Sequence, residues 1–163
     1  MKRAFALVTA LAFTVAACGD DGPTGPGGGG GSEMEATIDG SNVSFPSIGI
    51  QGVYTQNVLQ IGGTTASNPV RQINISLNGV TATGTYDLNP SAIPNNLATL
   101  TLVQGTTASV WTTALSPATG SITLTTLTAD RVAGTFQFTG QAGPGTPATG
   151  QKSVTSGSFD IEL

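Results

Sequence analysis

Most of the sequence after residue 32 alternates an apolar residue with threonine, serine or another polar residue. Successive side chains of a β-strand point to opposite faces, so a period of two is typical of strands with one buried face. Glycine and proline interrupt these runs at the spacing expected of an antiparallel sheet. The pattern predicts an all-β fold, an antiparallel β-sandwich or flattened β-barrel of about ten strands.

Three predicted strands show which side chains should face the core. The first, residues 33–39, ends in the hairpin-forming pair Asp39-Gly40. The inward positions are predicted to be Met34, Ala36 and Ile38 on this strand, Ile73, Ile75 and Leu77 on a second, and Val132, Phe136 and Phe138 on a third. The glycine and proline signals predict loops at Gly62-Gly63, Asn68-Pro69, residues 89–96 and residues 140–150.

The first 18 residues have the layout of a secretory signal peptide. Met1-Lys2-Arg3 supplies a short positive region, and residues 4–17 form an uncharged apolar run that is too short for a permanent transmembrane helix. Val15-Ala16-Ala17-Cys18 resembles the lipobox of bacterial lipoproteins, in which the cysteine is acylated and becomes the new N-terminus. We therefore expect residues 1–18 to form a signal peptide with a lipobox that ends at Cys18.

The next segment, residues 19–32, consists of residues that cannot form a core. Its run from Gly27 to Gly31 is typical of a flexible tether. Acyl chains on Cys18 would hold the β-domain, residues 33–163, at the surface of a bilayer without spanning it. Gly19 after the cysteine looks like the default for outer-membrane sorting in Gram-negative cells, so the expected location is the outer membrane of the cell envelope.

Composition excludes several classes of function. The net charge of −4 and the scarcity of lysine and arginine argue against nucleic acid as a partner. The chain has no histidine and a single cysteine, so it lacks the residues for histidine-dependent nucleophiles, disulfides and imidazole or thiolate metal sites. We expect no metal, no cofactor and no enzymatic activity.

Four side chains are candidates for ligand binding. Trp111, Tyr54 and Tyr86 could form a platform for a flat ligand such as a sugar, although packing against the core is the stronger expectation. Arg71 falls on the same strand face as Ile73. It therefore either caps the apolar face at the sheet edge or points into a cavity, where a lone cation would mark an anion-binding pocket.

A carboxylate pair offers an alternative chemistry. Glu33 and Glu35 share one strand face, about 7 Å apart by strand rise, a separation compatible with the acid and base of an inverting glycosidase. Met34 between them faces the opposite side of the strand, so no apolar side chain interleaves with the two carboxylates on their own face. The stronger expectation is a pair of solvated charges beside the tether.

Five segments carry a resemblance to a known family. They are Ala36-Thr37-Ile38-Asp39-Gly40, Gly84-Thr85-Tyr86-Asp87-Leu88, Gly120-Ser121-Ile122-Thr123-Leu124-Thr125, Arg131-Val132-Ala133-Gly134-Thr135-Phe136-Gln137-Phe138-Thr139 and Gly157-Ser158-Phe159. Their order resembles a family of uncharacterised envelope lipoproteins built on a single β-rich domain of unknown function. The likeness covers most of residues 34–163 and implies a fold but no catalytic or binding residues. Family members often carry an aromatic residue soon after the first turn, where this chain has only Phe45.

These features together predict a membrane-anchored lipoprotein. The expected role of its β-domain is to bind a small molecule, a glycan or an envelope protein without catalysis. The alternatives are a structural or assembly subunit of the envelope and a carboxylate-based glycoside hydrolase.

The substitution Cys18→Ser is expected to leave the precursor uncleaved, because the acylated thiol is what the lipoprotein pathway recognises. Mass analysis of the protein from cells should show acylated Cys18 in the wild type and the intact signal in the variant. Thr24→Ala, in the tether, should be processed normally. Processing of the wild type that resists globomycin-type inhibition, or an unmodified Cys18, would contradict the anchor.

Overall fold

The computed structural model describes residues 31–163, and β-strands make up most of them. The predicted signal peptide, Cys18 and most of the tether lie outside the described residues. No helix within residues 31–163 has the length and apolar character needed to cross a bilayer. The strands are β1 (Glu33–Ile38), β2 (Ser41–Phe45), β3 (Ile50–Thr55), β4 (Val58–Thr64), β5 (Val70–Asn78), β6 (Gly84–Asp87), β7 (Leu97–Gln104), β8 (Thr107–Thr112), β9 (Thr119–Leu127), β10 (Arg131–Ala142) and β11 (Gln151–Glu162), with a 3₁₀ turn at Ser47–Gly49.

All eleven strands belong to one antiparallel sheet that curls into a nearly closed barrel. Strand β10 pairs with β11 on one side, and on the other with β9 over residues 132–139 and with β8 at residues 141–142. The sheet therefore divides at β10 into a first layer, β2-β1-β11-β10-β9-β6, and a second layer, β8-β7-β5-β4-β3. The predicted all-β antiparallel class is confirmed, with eleven strands in place of about ten.

The core lies between the two layers. All nine inward side chains predicted from the alternation are buried, and so are Val43 and Phe45 of β2. The Asp39-Gly40 turn is also confirmed, because both residues have the positive φ that a two-residue hairpin turn requires, +46° and +82°. The period of two therefore predicts the buried faces correctly wherever the strand is regular.

Two predicted loops are wrong in part. Gly62 and Gly63 lie inside β4. A Cβ atom at Gly63 would lie 2.7 Å from Met34 Sδ and 2.8 Å from the Phe45 ring, both in the first layer. Gly63 therefore marks a close approach of the two layers rather than a turn.

The predicted loop at residues 140–150 begins later than expected. Residues 140–142 continue β10, and the loop covers residues 143–150. A Cβ atom at Gly140 would lie 3.0 Å from the backbone nitrogen of Thr112, so a larger side chain would crowd the backbone where β8 meets β10. Residues 89–96 lie between strands, as predicted.

Strand β11 contains a β-bulge that explains an irregularity of its sequence. Val154 and Phe159 differ in parity, yet both are buried. Ser156 has a φ of +48°, and the pairings of β11 with β1 and with β10 both shift at this point. One extra residue on β11 thus shifts the alternation by one position, so that Val154 and Phe159 both face the core.

Thr113 joins the end of β8 to the start of β7. Its side chain is fully buried, and its Oγ1 accepts a hydrogen bond from the backbone N–H of Ala98 at 2.9 Å. Its own N–H donates to the carbonyl oxygen of Ala98, also at 2.9 Å. A buried hydroxyl therefore satisfies a buried backbone donor where the sheet ladder ends.

Thr113→Val is expected to lower the free energy of unfolding by about 1–3 kcal/mol, because valine fills the space but leaves the Ala98 N–H without an acceptor. Thr99→Val, on the outward side of β7, makes the same chemical change and should alter stability by less than about 0.5 kcal/mol. Urea unfolding of the two variants measures the difference. Equal losses would show that the Thr113 hydroxyl does not carry this stability.

Candidate functional site

Charged side chains are distributed unequally between the two layers. All seven carboxylate side chains of the described residues lie on the strands of the first layer or on the turns that join them. Arg71 on β5 is the one charged side chain on the strands of the second layer. Threonine, serine, asparagine and glutamine supply most of the remaining polar side chains there. The second layer therefore presents a nearly uncharged surface with a single cation.

Arg71 also differs from the other basic residues in its partners. Arg131 donates two hydrogen bonds to Asp160, at 2.6 and 2.5 Å, and Lys152 forms an ion pair with Asp39. Within residues 31–163, no carboxylate lies within ion-pair distance of Arg71. Its guanidinium charge is the one that the described part of the chain leaves unneutralised.

Arg71 lines an open pocket of about 310 Å³. One wall is formed by residues 41–44 of β2 together with Pro46, and the other by residues 65–67 and Arg71. Four hydroxyl groups and one carboxamide line it, and no carboxylate does. This volume is at the lower end of the range for small-ligand sites.

The second wall of the pocket is held by its own hydrogen bonds. Thr65 Oγ1 accepts from the backbone N–H of Arg71 at 2.9 Å, and the N–H of Thr65 donates to the Arg71 carbonyl oxygen at 2.9 Å. Ser67 Oγ donates to Thr65 Oγ1 at 3.2 Å. Thr65 is buried, and the two side-chain hydrogen bonds that it accepts are partly buried. The backbone at Arg71 is therefore fixed before any ligand arrives.

Arg71 lies where the apolar face of β5 ends. It continues the inward row of β5 beyond Ile73 to the end of the apolar face, and it lines the pocket that opens there. Anion binding at this position stays a prediction. The sequence did not predict the opposite wall, because β2 meets Arg71 only through the tertiary fold.

The two candidate tyrosines lie on different strands, and their hydroxyl groups bond the same short connection between β5 and β6. Tyr54 is on β3 and Tyr86 on β6, which are not hydrogen-bonded neighbours. The Tyr54 hydroxyl donates to the Val80 carbonyl oxygen at 2.8 Å, and the Tyr86 hydroxyl donates to that of Ala82 at 2.6 Å. Both rings pack against the core. Their role in ligand binding stays a prediction.

Trp111 on β8 is buried and held from two sides. Its indole Nε1 donates to the carbonyl oxygen of Thr149 at 3.2 Å, and Lys152 Nζ lies 5.4 Å from the ring centroid. Lys152 is itself paired with Asp39, whose carboxylate also accepts the N–H of Ser153 at 3.1 Å. A carboxylate, an ammonium and an indole are thus stacked in sequence, a cation–π arrangement that fixes the tryptophan.

The paired Glu33 and Glu35 are exposed on the outward side of β1. Glu35 Oε1 accepts a hydrogen bond from Ser158 Oγ at 3.2 Å. Within residues 31–163, no group of three or more carboxylate or cysteine side chains is placed to hold a metal ion. The geometry around these carboxylates is that of a solvated strand face.

The pKa of Asp39 gives a test of the Trp111 cluster. Partial burial raises this pKa, but hydrogen bonds from Lys152 and Ser153 and the charge of Lys152 outweigh burial, so the net shift is downward. A carboxyl whose pKa is lowered by folding stabilises the native state above its unfolded pKa of about 3.9, and this contribution disappears as pH falls through the folded value.

Asp39→Asn is therefore expected to reduce the loss of stability between pH 7 and pH 3. Urea midpoints at pH 7 and pH 3 measure this loss of stability. A change that asparagine makes to the turn would act equally at both pH values and would cancel in the comparison. Asp87→Asn, which removes an exposed carboxylate without an ion pair in the described region, is the control, and Asp39→Asn should change the difference more than this variant does. An identical acid response in Asp39→Asn and wild type would refute the linkage.

Comparison with protein families finds a match over the β-domain. The model of a domain of unknown function, DUF6252, matches residues 33–160, nearly all of the described strands. No curated protein matches the chain, and no solved structure does. The family match confirms the expectation of a single domain of unknown function.

Proposed function

The chain belongs to the DUF6252 family, and we propose that it is a lipid-anchored envelope protein whose β-domain binds an anionic ligand in the Arg71 pocket without catalysis. The observation that carries this proposal is the cation of Arg71, which has no ion-pair partner within residues 31–163 and lies in a pocket lined by hydroxyl groups. A guanidinium presents parallel N–H donors that match a carboxylate or phosphate group. Among the hydroxyls that line the pocket, those of Ser41 and Ser44 can donate to the remaining oxygens.

The composition of the pocket favours binding over chemistry. Hydroxyl nucleophiles need a general base within hydrogen-bond reach. The walls contain serine and threonine, but no carboxylate, histidine or lysine accompanies them. Arg71 and the hydroxyls would orient an anion here. The residues that line the pocket include no general base that could take the proton from a hydroxyl nucleophile.

The proposed anchor rests on the sequence of residues 1–18. With Cys18 acylated, residues 19–32 would allow the β-domain a reach of about 20 Å from the bilayer surface. Strand β1 begins at Glu33, directly after this segment. The pocket would thus sample ligands or partner segments close to the membrane, with the outer membrane as the proposed location.

Arg71→Gln is expected to weaken the binding of inorganic phosphate at least about tenfold, since a charge-assisted hydrogen bond contributes about 1.5–3 kcal/mol. Isothermal titration calorimetry of the full-length mature protein in detergent measures the affinity for phosphate. Arg131→Gln removes a paired cation outside the pocket and is the matched control, which should bind as the wild type does. Equal affinity in the Arg71 and Arg131 variants, or no binding to the wild type, would refute the proposed site.

A further inference from the structure

Strand β2 forms one wall of the Arg71 pocket and lies at one end of the sheet. It begins the path β2-β1-β11, and among the strands of residues 31–163 it pairs with β1 alone. One side of its backbone is therefore available to another strand. This free side belongs to the same strand that lines the pocket.

The hairpin turn determines which backbone groups face away from β1. Because Asp39 and Gly40 form a two-residue turn, Ile38 and Ser41 are a hydrogen-bonded pair, and the pattern alternates from there. Asn42 and Ser44 are then in non-hydrogen-bonded pairs, so their N–H and C=O groups point outward. The side-chain hydrogen bond from Thr37 to Asn42, at 2.8 Å, fits the close spacing of such a pair.

These outward groups match the backbone of an extended peptide. Asn42 and Ser44 are two residues apart, and a strand in extended conformation repeats its own donors and acceptors at the same interval. A free anion would use Arg71 and the hydroxyls but leave these backbone groups to water. A peptide with a carboxylate would use both.

We propose that an extended peptide segment adds to the free side of β2 as a further strand and places its carboxylate at Arg71. This mode of recognition takes its affinity from backbone hydrogen bonds and its selectivity from the pocket. The proposal rests on anion binding at Arg71 and deepens it by naming the class of ligand. Charge complementarity supports it, because Arg71 is the one charged side chain in the pocket walls and no carboxylate lines them.

The test uses synthetic peptides and the full-length mature protein in detergent. The probe is an N-acetylated hexapeptide of alternating threonine and valine with a free C-terminal carboxylate. Its C-terminal amide should bind at least about tenfold more weakly, since it lacks the charge that Arg71 would pair with. Arg71→Gln should weaken binding of the carboxylate peptide to the same extent.

Backbone N-methylation of the peptide tests the strand pairing itself. Two further peptides carry N-methyl groups on the odd or on the even residues. One of them should bind at least about tenfold more weakly, because its methylated nitrogens would face β2, and the other should bind nearly as the parent peptide does. Hydrogen exchange at Asn42 and Ser44 should slow when the parent peptide is added.

The outcomes separate this inference from anion binding in general. If both methylated peptides bind as the parent does, or exchange at Asn42 and Ser44 is unchanged, strand addition is overturned while phosphate binding at Arg71 stands. If the wild type binds neither phosphate nor the peptides, the proposed function falls as well. If the amide binds as tightly as the carboxylate, the role of Arg71 in peptide recognition is overturned.

Discussion

The fold depends on the backbone hydrogen bonding of β10. This strand has 12 residues, and its groups must be satisfied along its full length because it lies inside the barrel-like sheet. Strand β11 pairs with one side of β10, while β9 and then β8 pair with the other side. The change of partner turns one continuous sheet into two facing layers, and the core forms between them. The closed shape therefore follows from the length of a single strand.

The regular strands were predictable because a period of two has one physical meaning in a strand with a single buried face. A glycine can mark either a turn or a close approach of two parts of the chain, so its presence in the sequence alone does not distinguish the two. Gly62-Gly63 has the composition of a turn, but the Phe45 ring that excludes a Cβ at Gly63 comes from another part of the chain. Arg71 could be placed at the end of the apolar face from its parity alone. The pocket around Arg71 could not be predicted, since local sequence does not encode the strand order that brings β2 to this position.

The distribution of charge sets how an anion could reach Arg71. All seven described carboxylates are associated with the first layer, and the chain carries a net charge of −4. The long-range field therefore repels an anion, and fast electrostatic steering is absent. Affinity has to come from short contacts at the pocket, where no carboxylate of the described residues pairs with Arg71. Such a site favours ligands that add further contacts over bare ions.

An open sheet edge beside a pocket has consequences for a protein proposed to be concentrated on a membrane. A free strand can also pair with a second copy of the same chain, and proteins limit this with short edge strands and proline. Strand β2 has both, because it contains five residues and Pro46 follows it directly. The opposite wall at residues 65–67 further limits what can approach. A single extended segment needs less room than a whole sheet, so the same features that oppose self-pairing leave space for a peptide.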